Sequence, residues 1–286
     1  MLQRLKCCWQ WKMKSKSVAD ADLARGEHAA RKVLAELGVA HPAGYDLADL
    51  LWVLRRIVVR DVPLGGCVGR TTRVAGRAII SVSSSVEYQP RRRFIIAHEF
   101  GHYEIHGADR NQIELCDSVQ TSDDAQLREI YAPSTEREAN AFASEFLMPR
   151  AIWSVRCDVR RPSFDVVKVL QREFGVSFVA ASIRFSRFSP ERCAVVLAQD
   201  GKVSWAVTGE DFGYFIRRGR LLSKFSIASD YFAGKRPVDV AEPVPATAWL
   251  DGFGVSREYD IVEHCQVIPA LRGTLSLLWI PPDAEY

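Results

Sequence analysis

The chain has 286 residues, 48% of them hydrophobic and 26% charged, with a formal net charge of +3. That composition excludes a disordered chain, collagen and a disulfide-stapled miniprotein, and so small a charge does not by itself argue for nucleic-acid binding. At roughly 150 residues per domain, about two domains are expected.

The seven cysteines are odd in number, scattered and free of any C-x-x-C pair, which excludes a thiolate zinc knuckle and points to a reducing, cytoplasmic compartment. No apolar run reaches the ~18 residues of a membrane span, so no membrane partner is expected. Residues 1–18 read as a flexible basic leader. A helix is predicted from Asp20 to Leu37, stopped by Gly38, and a second from Asp46 to Leu54. A short strand at Ile57 to Val62, a Gly65-Gly66 turn and a strand at Ala78 to Ser83 follow. Pro90 opens a helix predicted to run to His106. After a polar stretch from Ala108 to Pro133, Thr135 and Glu138 have capping-box spacing for a helix that Pro149 stops. Helices are then predicted from Phe164 to Phe174, with a glycine stop at Gly175, and from about Ser177, whose side chain caps the second. From Cys193 onward the pattern turns to short β-runs, with a hairpin signal at Asp200-Gly201.

Of the six histidines, three lie within nine positions, at His98, His102 and His106. The segment His98-Glu99-Phe100-Gly101-His102 is H-E-x-x-H. Residues four apart on a helix are offset by about 40°, so both imidazoles leave one face and can meet one metal ion. Neutral imidazole is a good zinc ligand, and an adjacent carboxylate, Glu99, can take a proton from water that zinc acidifies. The bland alternative is a pair of core histidines; a dry apolar face, however, offers two buried imidazoles no partner. His106 continues the four-residue spacing but lacks the six-residue step of the longer H-E-x-x-H-x-x-G-x-x-H pattern, and reads as a helix-end or supporting residue.

A catalytic zinc usually has three protein ligands. Downstream, Glu136, Ala139, Asn140, Ala143 and Leu147 share one helical face. Glu136 can supply the third ligand, and Asn140, one turn later, can orient a ligand imidazole. The alternative for Glu136 is an exposed charge favoured by the helix dipole.

H-E-F-G-H followed by E-x-E-A-N-x-F-A-x-E-F-L-M-P resembles the ImmA/IrrE family of zinc metallo-endopeptidases over roughly Asp20 to Pro149. The resemblance implies an α+β fold: a gluzincin-like peptidase domain at 19–150, a helix-turn-helix-like segment at 151–190 and a small α/β module at 191–286. It implies zinc on His98, His102 and Glu136, with manganese the other metal to consider, and Glu99 as general base. It further implies that the substrate is a helix-turn-helix transcriptional repressor whose cleavage releases stress-response or mobile-element genes. In related peptidases a strand just before the active helix pairs with the substrate, and Ala78 to Ser83 matches that position. The oxyanion-stabilising residue is unassigned among Tyr88, Tyr103 and Tyr131, and the substrate-binding residues are unknown. By position alone, the C-terminal module corresponds to a GAF-like sensor or, equally, a substrate-docking module; His264-Cys265 reads as core. Direct DNA binding by the basic Arg150 to Arg192 stretch is the weaker reading beside repressor docking. The alternative function is a non-catalytic regulatory protein that binds a repressor or DNA and keeps a structural metal site.

Overall fold

The computed structural model describes residues 22–74, 77–106, 114–117, 133–251 and 259–284. The expected leader at 1–18 and Tyr131 lie outside the described residues. The fold is α+β and divides into two compact units, residues 1–149 with 174–176, and residues 150–173 with 177–286. Among the described residues no helix is long and apolar enough to cross a membrane.

In the first unit, helix α1 covers residues 22–37 and ends at Gly38, whose φ of 65° is the left-handed conformation that only glycine adopts without strain. Helix α2, Leu47–Arg55, is capped by Asp46, whose side chain accepts from the backbone N–H groups of Ala48 and Asp49. Strands β1 (Val58–Val62), β2 (Cys67–Val74), β3 (Arg77–Ser83) and β4 (Glu114–Asp117) form a sheet in the order β1-β3-β2-β4. Strand β1 runs parallel to β3, while β2 is antiparallel to both β3 and β4.

Strand β2 escapes the hydrophobic pattern because its inward positions are Cys67, Gly69 and Thr71, which are small or polar. Its presence corrects one expectation. The segment Ala78 to Ser83, matched by position to a substrate-pairing strand, is β3, and both of its edges are already paired with β1 and β2. Its hydrogen-bonding groups are therefore not open to an added strand.

Helix α3, Gln89–Ile105, starts with Pro90 in its first turn and carries the histidine motif. Helix α4, Ser134–Leu147, runs against it. Phe100 of α3 meets Phe142 and Phe146 of α4 at ring-centroid distances of 5.5 and 5.9 Å, and all three rings are fully buried. Each such side chain contributes about 1.5–3 kcal/mol by leaving water, which makes the helix pair a firm frame. Gly101 lets the two helices approach, since a Cβ there would lie 3.0 Å from that of Phe142. The capping box read from Thr135 and Glu138 does not form. Pro133 holds the cap position with no side-chain bond, and the Glu138 carboxylate turns into the protein toward Arg25 and His106. A buried charge with two partners outweighs a local cap worth about 1 kcal/mol.

The second unit holds helices α5 (Arg150–Cys157), α6 (Phe164–Phe174, apart from its last residue) and α7 (Phe178–Phe188). It also holds strands β5 (Cys193–Gln199), β6 (Lys202–Thr208), β7 (Ala241–Pro245), β8 (Asp260–Ile268) and β9 (Gly273–Trp279). A short helix α8, Ala228–Phe232, precedes β7. As read from the sequence, Gly175 takes a left-handed φ of 63° and the Ser177 hydroxyl caps α7 by accepting from the Ala180 N–H. Helix α7 packs on β5 and β6 and buries Ala181, Ser182, Arg184 and Phe185.

The sheet order is β6-β5-β9-β8-β7, antiparallel throughout, with the Asp200-Gly201 turn joining β5 to β6. The expected α/β module is thus an α+β one. Antiparallel strands need no crossover helix, and among the described residues the longest helix between these strands is the five-residue α8. Strand β7 sits at the edge, where its prolines, Pro243 and Pro245, are tolerated. His264 is a satisfied core histidine: its Nδ1 accepts from the Phe164 N–H, and its Nε2 faces Asp239 at 3.1 Å.

Candidate metal centre

His98 and His102 lie one turn apart on α3, 5% and 3% exposed. Their Nε2 atoms are 3.0 Å apart. Glu136, in the first turn of α4, places one carboxylate oxygen 3.3 Å from His98 Nε2 and the other 3.2 Å from His102 Nε2. Three donors from two helices thus converge, and this group of a carboxylate and two imidazoles has the composition of a metal site.

The fit to a metal follows from spacing. A tetrahedral ion with arms of ~2.0–2.1 Å has donor-to-donor edges of about 3.3–3.4 Å; the two imidazole nitrogens stand 3.0 Å apart and each has a different Glu136 oxygen at 3.2–3.3 Å, so the three side chains gather within the reach of one ion. Without a cation, three electron-rich donors at these separations would repel unless protons sat between them. Burial pushes the Glu136 carboxyl up, but with protons on the Nε2 atoms of His102 and His98 their hydrogen bonds and charges outweigh it and hold the group well below the usual carboxylate range; a metal at the centre would take the place of those protons.

Asn140, one turn beyond Glu136, puts its side-chain oxygen 2.9 Å from His98 Nδ1. That oxygen can only accept, so Nδ1 carries the proton and Nε2 presents its lone pair to the centre. The same face of α4 thus delivers the third donor and the group that aligns the first.

Glu99 is fully buried and turned toward the sheet. The Thr71 hydroxyl on β2 donates to Glu99 Oε2 at 2.7 Å, while Oε1 is buried without a hydrogen-bond partner among the described residues. Gly69, two residues before Thr71, makes room for that carboxylate, because a Cβ there would lie 2.7 Å from Glu99 Oε1 and 2.6 Å from Ile95 Cγ2. A buried carboxylate oxygen with an open lone pair is costly as structure and useful as a base.

Neither described tyrosine candidate is at the centre. Tyr88 is the cap residue of α3, 53% exposed, and ten residues of helix put it about 15 Å from His98. Tyr103 is rotated about 100° from His102 on the helix, and its ring lies under the Arg73 guanidinium at 4.2 Å.

Sequence reasoning missed Thr71 and Gly69, because β2 carried no apolar alternation. It also read Glu138 as a cap. The available signal was the position of Glu138, about 200° around the helix from Glu136 and so on the opposite face of the same turn, among alanines and phenylalanines.

Residues 56–186 match the family model Peptidase_M78, described as the IrrE N-terminal-like domain. The search of curated proteins finds no match. Among solved structures the chain is similar to a Mycobacterium tuberculosis transcriptional regulator, with a TM-score of 0.53 over 93% of this chain and 80% of that one, at 17% identity. At that identity the likeness is one of fold.

Proposed function

We propose, from the membership of residues 56–186 in the IrrE N-terminal-like peptidase family, that this chain is a zinc-dependent endopeptidase. The observation that carries the reading is the convergence of His98, His102 and Glu136 beside a buried carboxylate, Glu99, with one oxygen left open. A zinc ion held by the three donors would supply Lewis acidity, polarising a peptide carbonyl and acidifying water. Glu99 takes the proton of the attacking water at Oε1 and passes it to the leaving nitrogen, acting as base and then acid. Thr71 keeps Oε2 occupied, so that Oε1 is the oxygen available for transfer. Asn140 holds the His98 ring in the tautomer that ligation needs.

The substrate in this reading is a helix-turn-helix transcriptional repressor, and its cleavage would derepress the genes it controls. The regulatory arm is supported by the name of the structural neighbour, a transcriptional regulator. The test is incubation of the purified chain and Zn²⁺ with the helix-turn-helix protein encoded beside its gene, with Glu99→Gln in parallel. The parent is expected to cut that protein and the variant to bind zinc without cutting. Cleavage by Glu99→Gln overturns the mechanism; an uncut repressor with active hydrolysis of other peptides overturns the substrate assignment.

A further inference from the structure

The chain of contacts behind His98 has a counterpart behind His102 that is longer and crosses three helices. His102 Nδ1 lies 3.0 Å from His106 Nδ1, and His106 Nε2 lies 2.8 Å from Glu138 Oε2. Arg25 of α1 then donates to both oxygens of Glu138, at 3.0 and 3.1 Å, and to the Ile105 carbonyl at 3.2 Å. Glu138 is 4% exposed, whereas the Arg25 side chain is 59% exposed, so the chain runs from the surface to the centre.

The donor and acceptor roles along it are fixed by one end. If His102 offers Nε2 to a metal, its Nδ1 carries the proton and donates. His106 Nδ1 must then accept, which places the His106 proton on Nε2, where the Glu138 carboxylate accepts it. Each link is thus satisfied by a single tautomer assignment, and Arg25 balances the buried charge.

We propose that His106 and Glu138, anchored by Arg25, are positioning residues that hold the His102 ring in its ligating tautomer, as Asn140 does for His98. Two imidazoles then face the centre already oriented, one by an amide carbonyl and one by an imidazole backed with a carboxylate. Groups of this kind are worth about 10–100-fold in metal affinity. The assignment rests on the reading of His98, His102 and Glu136 as metal donors.

The experiment measures Zn²⁺ affinity of the full chain by competition with a chromophoric chelator, alongside the melting temperature of the metal-free protein. His106→Phe keeps the ring volume but removes the acceptor, and a 10–100-fold weaker affinity is expected. His106→Gln places a side-chain carbonyl where His102 Nδ1–H can reach it and should recover most of the loss. Glu138→Gln still accepts from His106 but no longer balances Arg25, so an intermediate loss is expected. Affinity of His106→Phe within twofold of the parent overturns the proposal. So does a His106→Gln variant that binds as weakly as His106→Phe, since that outcome marks a packing role. Should His106→Phe fail to fold, the comparison of parent, His106→Gln and Glu138→Gln still decides. A parent that binds zinc no better than His102→Ala overturns the metal reading itself and the positioning chain with it.

Discussion

Replacing Thr71 by valine isolates what holds Glu99. Valine matches threonine in shape and suits a strand, so the backbone of β2 is not perturbed. Thr71 is 5% exposed and Glu99 fully buried, so bulk water has little access to replace the lost hydroxyl. The bond removed, 2.7 Å from Oγ1 to Glu99 Oε2, is to an ionised acceptor and worth about 1.5–3 kcal/mol. The buried methyl that replaces the hydroxyl returns about 0.8 kcal/mol. The net cost is then about 1–2 kcal/mol, and with a urea slope of about 1–3 kcal/mol/M the midpoint falls by roughly 0.3–2 M.

In catalysis the same variant frees the carboxylate to turn, and a loss of about 1.4 kcal/mol in the transition state is tenfold in rate. Thr71 touches Glu99 and not the substrate, so the loss falls on kcat, with KM unchanged. Thr71→Ser, which keeps the donor, should restore both rate and midpoint. A Thr71→Val enzyme with the parent's kcat and urea midpoint refutes this reasoning, and so does a serine variant as slow as the valine one.

The remaining predictions concern both units. Gly69→Ala forces a Cβ to 2.6 Å from Ile95 and 2.7 Å from Glu99 Oε1, so zinc binding is expected to persist while peptidase rate falls at least tenfold, read by chelator competition and single-substrate kinetics. In the C-terminal unit, Glu263 is buried between four donors, the N–H groups of Ile227 and Ala228, the Trp249 indole and the Ser276 hydroxyl. Burial pushes its carboxyl up against the pull of those donors, yet Glu263→Gln leaves two of them facing an NH₂ group. At about 1–3 kcal/mol for each orphaned donor, a loss of about 2–4 kcal/mol after relief of charge burial is expected in urea unfolding; a variant as stable as the parent contradicts it.

Burial also pushes the thiols of Cys157, Cys193 and Cys265 up to about 12. Such groups stabilise the fold below the unfolded thiol value of about 8.5, and that contribution is lost as pH rises toward the folded value. The urea midpoint is therefore expected to drop between pH 8 and pH 10. At pH 8 these three thiols should resist iodoacetamide until urea is added, as peptide mapping of the alkylated chain would show.

The sequence by itself determined the elements whose information is local. Helix α3 with His98 and His102 on one face follows from period and spacing, and Glu136 and Asn140 share a face of α4 for the same reason. The stops at Gly38 and Gly175, the cap at Ser177 and the Asp200-Gly201 hairpin are backbone preferences of single residues, whereas Asp46, read as the first residue of its helix, is its cap. What only the tertiary structure decided is where distant segments meet. Strand β2 is built from Cys67, Gly69 and Thr71 on its inner side, and its pairing between β3 and β4 puts Thr71 against Glu99 and leaves β3 without a free edge. Glu138 looked like a helix cap because the local pattern permits one, yet Arg25, 113 residues away, and His106 claim its carboxylate. A short polar side chain carries no period of its own, and the energy of a buried charge depends on which partner the fold brings to it.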